Sequence, residues 1–264
     1  MAAMLDATGC DLTELHRHRL VRLGAPGWAN VLAGEWDAQA RACLTHWAVH
    51  GLPLVVTRQR ADAPAGRLAL GLAAPSQWGR RRLVLEVALA DVLRVDDFPL
   101  ATALADHLPR SARADWLDLC AELAQLGVQA RVYGSHGWQC LSGLRHVHAA
   151  SDIDLRLSVD AVPMADAVVE LLHRRSPLRG HRLDGEIAFP DGRDIAWREW
   201  LHGRDGRVDR LLVKRLGGVA MELVAQARAG AVQRVPEGNL DRAAERALKR
   251  WSVAGVERRQ LRRV

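Results

Sequence analysis

The sequence predicts an α+β fold: a mixed sheet with helices against it in the second half, and a smaller N-terminal α+β domain on an antiparallel sheet. Three observations lead there. Strand-period and helix-period segments alternate after Pro109. Strand-period segments dominate before it, around one strong helical pattern. Of the 264 residues, 49% are hydrophobic, enough to bury a sizeable core. With no internal repeat and no low-complexity linker, the boundaries rest on pattern alone. The N-terminal domain spans 14–105, the second domain 109–230, and a helical extension 231–264.

The N-terminal elements follow in order. HRHRLVRL suits a strand or a short helix. Glu35 to His50 is predicted helical, with Trp36, Ala40, Cys43 and Trp47 along one face and Gly51 as its left-handed exit. LPLVVTRQ and RLALGLA read as strands around a turn containing Pro64 and Gly66. RRRLVLEVALADVLRV is a third strand or a strand pair.

In the second domain, SARADWLDLCAELAQLG predicts a helix capped by Ser111 and ended by Gly127, with Trp116, Leu119, Cys120 and Leu123 on one face. VQARVYG is a strand, and Gly134 to Leu144 a turn and short helix. SDIDLRLSV is a strand whose Ile153, Leu155 and Leu157 face one way and Asp152, Asp154 and Arg156 the other. AVPMADAVVELLHRR is an amphipathic helix with Pro163 in its first turn. HRLDGEIAFPDGRDIAWREWL reads as a hairpin turning at Pro190-Asp191-Gly192. Arg207 to Arg228 reads as mostly helical, weakened by Gly217-Gly218. Asn239 caps a last helix through Trp251.

Composition narrows the function classes. No apolar run reaches bilayer length, and the N-terminus lacks the basic and apolar blocks of a secretory signal. Cys10, Cys43, Cys120 and Cys140 show no CxxC spacing and read as reduced thiols, so the expected location is cytoplasmic. The net charge of +6 invites nucleic acid, phosphorylated ligands or an acidic partner, unless it only reflects an arginine-rich coding bias.

The chemistry concentrates in RVYGSHGWQCLSGLRHVHAASDIDLRL, Arg131 to Leu157. Residues i and i+2 of a strand share a face, so Asp152 and Asp154 point together. Two such carboxylates stay ionised together only with a compensating cation. Mg²⁺ is the natural one, because it takes a few carboxylates and completes its shell with water and phosphate oxygens. The Gly134-Ser135 turn lies between a strand and a helix, where free N–H groups can hold a phosphate. Together these make a site for phosphoryl or nucleotidyl transfer. Either motif alone is weak, and two aspartates on a solvated strand edge are the plain alternative.

The order VYGS…SDIDL resembles the nucleotidyltransferase superfamily signature, which implies a nucleotidyltransferase-like sheet. HRLVRL, LPLVVTR, RVYGSHGWQCLSGL, SDIDL, LDGEIAFPDGRDIAWREW and LLVKRL are similar to blocks of the malonate decarboxylase holo-acyl-carrier-protein synthase family, the phosphoribosyl-dephospho-CoA transferases. The resemblance covers about Arg17 to Leu216. It implies transfer of the phosphoribosyl-dephospho-CoA group from its triphosphate precursor, triphosphoribosyl-dephospho-CoA, to a serine of the apo acyl carrier subunit of malonate decarboxylase, releasing pyrophosphate. It implies Asp152 and Asp154 as the catalytic, metal-binding pair with Mg²⁺, and Gly134 and Ser135 as the triphosphate cradle. One departure stands out: sixteen residues separate Ser135 from Asp152, so LRHVHAA is expected to form a loop.

The superfamily adds a third carboxylate on a neighbouring strand. Glu186, set in an apolar strand, is the first candidate and Asp184 the second; a surface charge at a hairpin end is the alternative. Lys214 is a candidate substrate-binding cation, or an ordinary surface lysine. Arg58 and Arg80-Arg81-Arg82 are candidates for substrate phosphates or an acidic partner, or a solvated face. His146 and His148 are weak zinc candidates. Trp116 and Trp138 read as core. Two rivals stay open: a nucleotidyltransferase acting on another acceptor, and a degenerate module binding nucleic acid. Intact aspartates argue against the second, since they repel a phosphate backbone; no nucleic acid and no membrane is the expected partner reading.

Overall fold

The structure, a computed structural model, describes residues 15–230. The extension 231–264, with the helix expected from Asn239 to Trp251, lies outside the described residues, as do Cys10 and Glu14. The fold is α+β, with two sheets. The first half runs β1 (Leu20–Leu23), α1 (Ala25–Leu32), α2 (Ala38–Val49), β2 (Leu54–Val56), β3 (Arg67–Ala73), β4 (Arg82–Ala88) and β5 (Val92–Asp96). Its five strands form an antiparallel sheet in the order β4-β3-β2-β1-β5.

Of HRHRLVRL only LVRL forms a strand, with Leu20 and Val21 fully buried. The helix expected from Glu35 starts later. Asp37 caps it by accepting the Ala40 N–H at 2.9 Å, and Trp36 stays outside, its indole donating to the Val31 carbonyl. Gly51 takes the left-handed exit with φ +57°. Helix α1 has no counterpart among the elements expected from the sequence. Its Gly-Ala-Pro-Gly opening reads as a breaker, yet Pro26 sits in the first turn, where its missing N–H costs nothing. β4 and β5 are a strand pair in sequence only, because the sheet sends them to opposite edges.

The second half runs α3 (Arg110–Gln125), β6 (Gln129–Tyr133), α4 (Gly134–Ser142), β7 (Ile153–Ser158), α5 (Val162–Arg175), β8 (Leu183–Ala188), β9 (Asp194–Ala196), α6 (Trp197–Arg204), β10 (Arg210–Arg215), β11 (Gly218–Leu223) and α7 (Val224–Gly230). The sheet order is β11-β10-β9-β8-β7-β6. β7 and β8 are parallel, so they need a crossover, and α5 supplies it. The other pairs are antiparallel.

Three expectations are corrected by the fold. Ser111 does not cap α3, which begins at Arg110 behind Pro109 with no side-chain cap. The strand after the Pro190-Asp191-Gly192 turn stops at Ala196, and WREWL is the start of α6, not strand. Residues 207–223 are a hairpin and not a helix, with Leu216-Gly217 as its two-residue turn. Leu211 and Val213 are buried at period two, and the glycines punctuate two strands.

Two hydrophobic cores result. One holds Leu20, Leu44, Trp47, Leu54 and Leu70. The other holds Trp116, Ile153, Leu155, Trp197 and Trp200. Trp138, on α4 of the second half, packs into the first core, at 5.4 Å centroid distance from Phe98. Backbone bonds from Gln59 N–H to the Leu216 carbonyl (2.8 Å) and from Val132 N–H to the Pro99 carbonyl (2.9 Å) tie the halves.

His146 lies between these parts, 5% exposed, stacked 6.3 Å from Trp138 and bonded to the Ser142 hydroxyl. Burial lowers its pKa to about 4. A depressed histidine pKa stabilises the fold above the unfolded value of 6.5, and that stability is lost as pH falls toward 4. Asp194, raised to about 6 by burial, works in the opposite sense, so the histidine's share must be read by difference. The unfolding free energy of His146→Gln relative to wild type should therefore improve by about 2 kcal/mol between pH 7 and pH 4.5. Urea titrations at the two pH values check this; a constant difference would contradict it.

Candidate active site

The site is built where β6, β7 and β8 end side by side. The alternation of SDIDLRLSV is realised: Ile153, Leu155 and Leu157 are fully buried, and Asp152, Asp154 and Arg156 take the other face. In the ladder, Asp154 stands opposite Tyr133 of β6 and in register with Asp184 of β8. Parallel partners in register share a face, so Asp184 adds its carboxylate to the pair. Gly185 permits this close strand pairing. It holds φ +134°, and a Cβ there would fall 1.9 Å from the Leu155 carbonyl oxygen.

Gly134 makes the second close approach. Its φ is +61°, and a Cβ would lie 1.9 Å from Asp154 Oδ2. Helix α4 begins at this glycine, so its first free N–H groups start beside the aspartate. Gly134, Ser135 and Asp154 line one cavity of about 830 Å³.

The carboxylates are only partly compensated. Burial, then the charges of Asp184, Asp152 and Glu186, push the Asp154 pKa up to about 7. The cation near them is Arg182, 3.5 Å from both Asp152 and Asp184, and its side chain is 59% exposed. Tyr133, between burial and the same carboxylates, has its phenol held well above the usual range.

Glu186 has another environment. It is 4% exposed, two residues beyond Asp184 on β8. Lys214 Nζ donates to its Oε1 at 2.6 Å, His18 Nε2 to its Oε2 at 3.0 Å, and Arg17 lies 3.7 Å away. Burial alone raises its pKa; the bond and charge of His18, then Arg17 and Lys214, overcome this and hold it at about 2. His18, Glu186 and Asp194 form the one trio of donor atoms within 4.8 Å of one another among the described residues. The Asp152, Asp154 and Asp184 carboxylates are not drawn together to that distance. Zinc at His146 and His148 finds no support in this grouping, and His146 belongs to the aromatic packing.

The cavity wall is basic. Arg17, Arg58, Arg80, Arg82, Lys214 and Arg215 line it, against the single carboxylate of Asp154. Of the suspected arginine run, Arg81 turns away to Asp37. The first sheet adds apolar lining, with Val55, Leu72, Leu83 and Val84, next to its own Arg82. Arg17 and His18 carry no chemical signal in the sequence. They stand before β1, and only the packing of the halves brings them to Glu186.

A basic cavity with a carboxylate face and a helix start suits a ligand bearing several phosphates. Family comparison agrees in kind. Residues 16–98 match the model "Phosphoribosyl-dephospho-CoA transferase MdcG N-terminal domain", and residues 99–225 match the corresponding C-terminal domain model. A phosphoribosyl-dephospho-CoA transferase of Xanthomonas campestris pv. campestris (strain 8004) is 35% identical over 202 residues, 76% of this chain and 91% of the relative. The chain belongs to the phosphoribosyl-dephospho-CoA transferase family.

The Bradyrhizobium diazoefficiens transferase is 33% identical over 210 residues, 78% of this chain and 88% of the relative. That of Pseudomonas aeruginosa (strain PAO1) is 32% identical over 168 residues, 58% of this chain and 71% of the relative. No solved structure matches the chain. The matched regions together contain every residue of the candidate site described above. Among the described residues no helix is long and apolar enough to cross a membrane.

Proposed function

We propose that this transferase moves the phosphoribosyl-dephospho-CoA group from triphosphoribosyl-dephospho-CoA to a serine of the apo acyl carrier subunit of malonate decarboxylase, in a nucleotidyltransferase-like site. The observation that carries the reading is the cavity itself. Asp154, the member of the carboxylate face that reaches the cavity, and a helix start meet inside a lining with five arginines and one lysine. These cations suit the triphosphate, and the apolar side chains of the first sheet in the same lining suit the rest of a long CoA-derived substrate.

The third carboxylate in this reading is Asp184 and not Glu186, because Glu186 is already engaged by Lys214, Arg17 and His18. The donor set fits Mg²⁺: three hard carboxylates, one with its pKa pushed up by burial and by the negative charge of its neighbours. Held by Asp152, Asp154 and Asp184, the ion would neutralise charge on the reacting phosphate oxygens. The chain's own groups do the rest. The α4 N-terminus at Gly134-Ser135 orients the triphosphate. The carrier serine oxygen forms a bond to the α-phosphorus, and the bond from that phosphorus to the bridging oxygen breaks. Pyrophosphate leaves with the electron pair, the serine proton passes to a carboxylate of the trio, and a phosphodiester remains. Free thiols at Cys43, Cys120 and Cys140 suit a reducing cytoplasm.

The test is transfer of the labelled group with apo carrier, triphosphate precursor and Mg²⁺, followed by mass of the carrier and release of pyrophosphate. A mass gain lost on carrier Ser→Ala is expected. Equal labelling of unrelated acceptors, or full activity in chelator, would sink the reading.

A further inference from the structure

We propose that Arg17, His18 and Lys214, gathered by Glu186, form a polyphosphate subsite that receives the terminal phosphates of the substrate, with Glu186 as its positioning residue. This rests on the active-site reading above and deepens it.

The first observation is an imbalance of charge. Two buried carboxylates, Glu186 and Asp194, face Arg17, Lys214 and Arg156 as well as His18; Lys214, His18 and Arg17 stand 2.6, 3.0 and 3.7 Å from Glu186. Its oxygens accept only, so His18 Nε2 must carry the proton of that bond. Glu186 sits behind the surface, while Arg17, His18 and Lys214 all line the cavity. The cluster is thus an anchored anion presenting excess positive charge to the cavity. Burying such a group for stability alone is a poor bargain, since apolar residues serve as well or better.

The second observation is strain. His18 is not glycine, yet it holds φ +68°. Its ring lies on Tyr133 at 4.3 Å, and Tyr133 immediately precedes Gly134. The backbone is bent to place this ring between Glu186 and the residue that leads into the cradle.

The third is register. Glu186 lies two residues beyond Asp184 on the same face of β8, about 7 Å along the strand. This puts the cluster within reach of a triphosphate whose α-phosphate meets the aspartates. A divalent cation among His18, Glu186 and Asp194 is disfavoured there, because Arg17, Lys214 and Arg156 already occupy those carboxylates.

The substrate carries two phosphate chains, its triphosphate and the diphosphate of dephospho-CoA, and calorimetry on the full-length chain in chelator separates them. Inorganic tripolyphosphate probes the first and dephospho-CoA the second. Arg17→Met and Lys214→Met should each weaken tripolyphosphate about tenfold and dephospho-CoA less than twofold. Lys214→Arg, which keeps the charge, should stay within threefold of wild type. Asp154→Asn should not weaken tripolyphosphate, so the subsite can stand even if the transfer chemistry proves different. Glu186→Asp should weaken tripolyphosphate about threefold and leave the Mg²⁺ midpoint of transfer unmoved. Unchanged tripolyphosphate affinity in both Met variants overturns the proposal. So does an equal loss for dephospho-CoA, or a shifted Mg²⁺ midpoint in Glu186→Asp, which would make Glu186 a metal ligand.

Discussion

Asp154→Asn is expected to cut transfer by about 10³-fold or more and, in chelator at pH 8, to raise the melting temperature. Loss of turnover follows from the place of Asp154 at the centre of the carboxylate face, beside Gly134 and in register with Asp184. The gain in stability follows from its raised pKa, about 7. A carboxyl whose folded pKa exceeds its unfolded value contributes stability below the unfolded pKa of 3.8, and loses it as pH rises through 7. At pH 8 the metal-free protein bears the full cost of the charge. Asn removes that cost and keeps the shape. Asp154 is only partly buried, so solvent screening trims the gain to about 1–2 kcal/mol, or roughly 2–8 °C. The advantage should shrink toward pH 5, and calorimetric scans at both pH values check it. A variant less stable than wild type at pH 8 in chelator would show that Asp154 is paired after all.

Gly134→Ala is expected to lower kcat/KM about 10²-fold, mostly through kcat, while the protein still folds. Its φ of +61° costs an alanine about 1–2 kcal/mol, or a few degrees in Tm. The larger effect is steric. The new methyl group would lie 1.9 Å from Asp154 Oδ2 and 2.8 Å from its Cγ. The aspartate side chain is the part that can yield, so it rotates away and the fold survives. Circular dichroism and steady-state kinetics together test this. An alanine variant with kcat within twofold of wild type would mean that the approach of α4 to Asp154 is not needed.

The acidic face is legible in the residue order alone. The period of SDIDLRLSV puts Ile153, Leu155 and Leu157 into the core and leaves Asp152 and Asp154 outside it. The Gly134-Ser135 turn is legible because a left-handed glycine between strand and helix has few other uses. The 207–223 hairpin is not. Gly217-Gly218 fits a weak helix about as well as a turn between short strands, and only pairing with β9 favours strands. Helix α1 is hidden by its glycines and proline, and it is held by the burial of Trp28 and Val31.

The family blocks in the sequence also locate Glu186 and Lys214, but not what they do to each other. A strand pattern tells which face a side chain takes, not which strand lies beside it. The parallel register of β7 and β8 sets Asp184 against Asp154, and the packing of the two halves delivers Arg17 and His18 to Glu186. By itself the sequence determined the α+β class, the carboxylate pair and the glycine turn, because each depends on local spacing, while the family was carried by the resemblance of its blocks. Only the tertiary structure decided how the remaining polar groups are shared, because a hydrogen bond between residues 168 positions apart depends on the packed fold and not on local order.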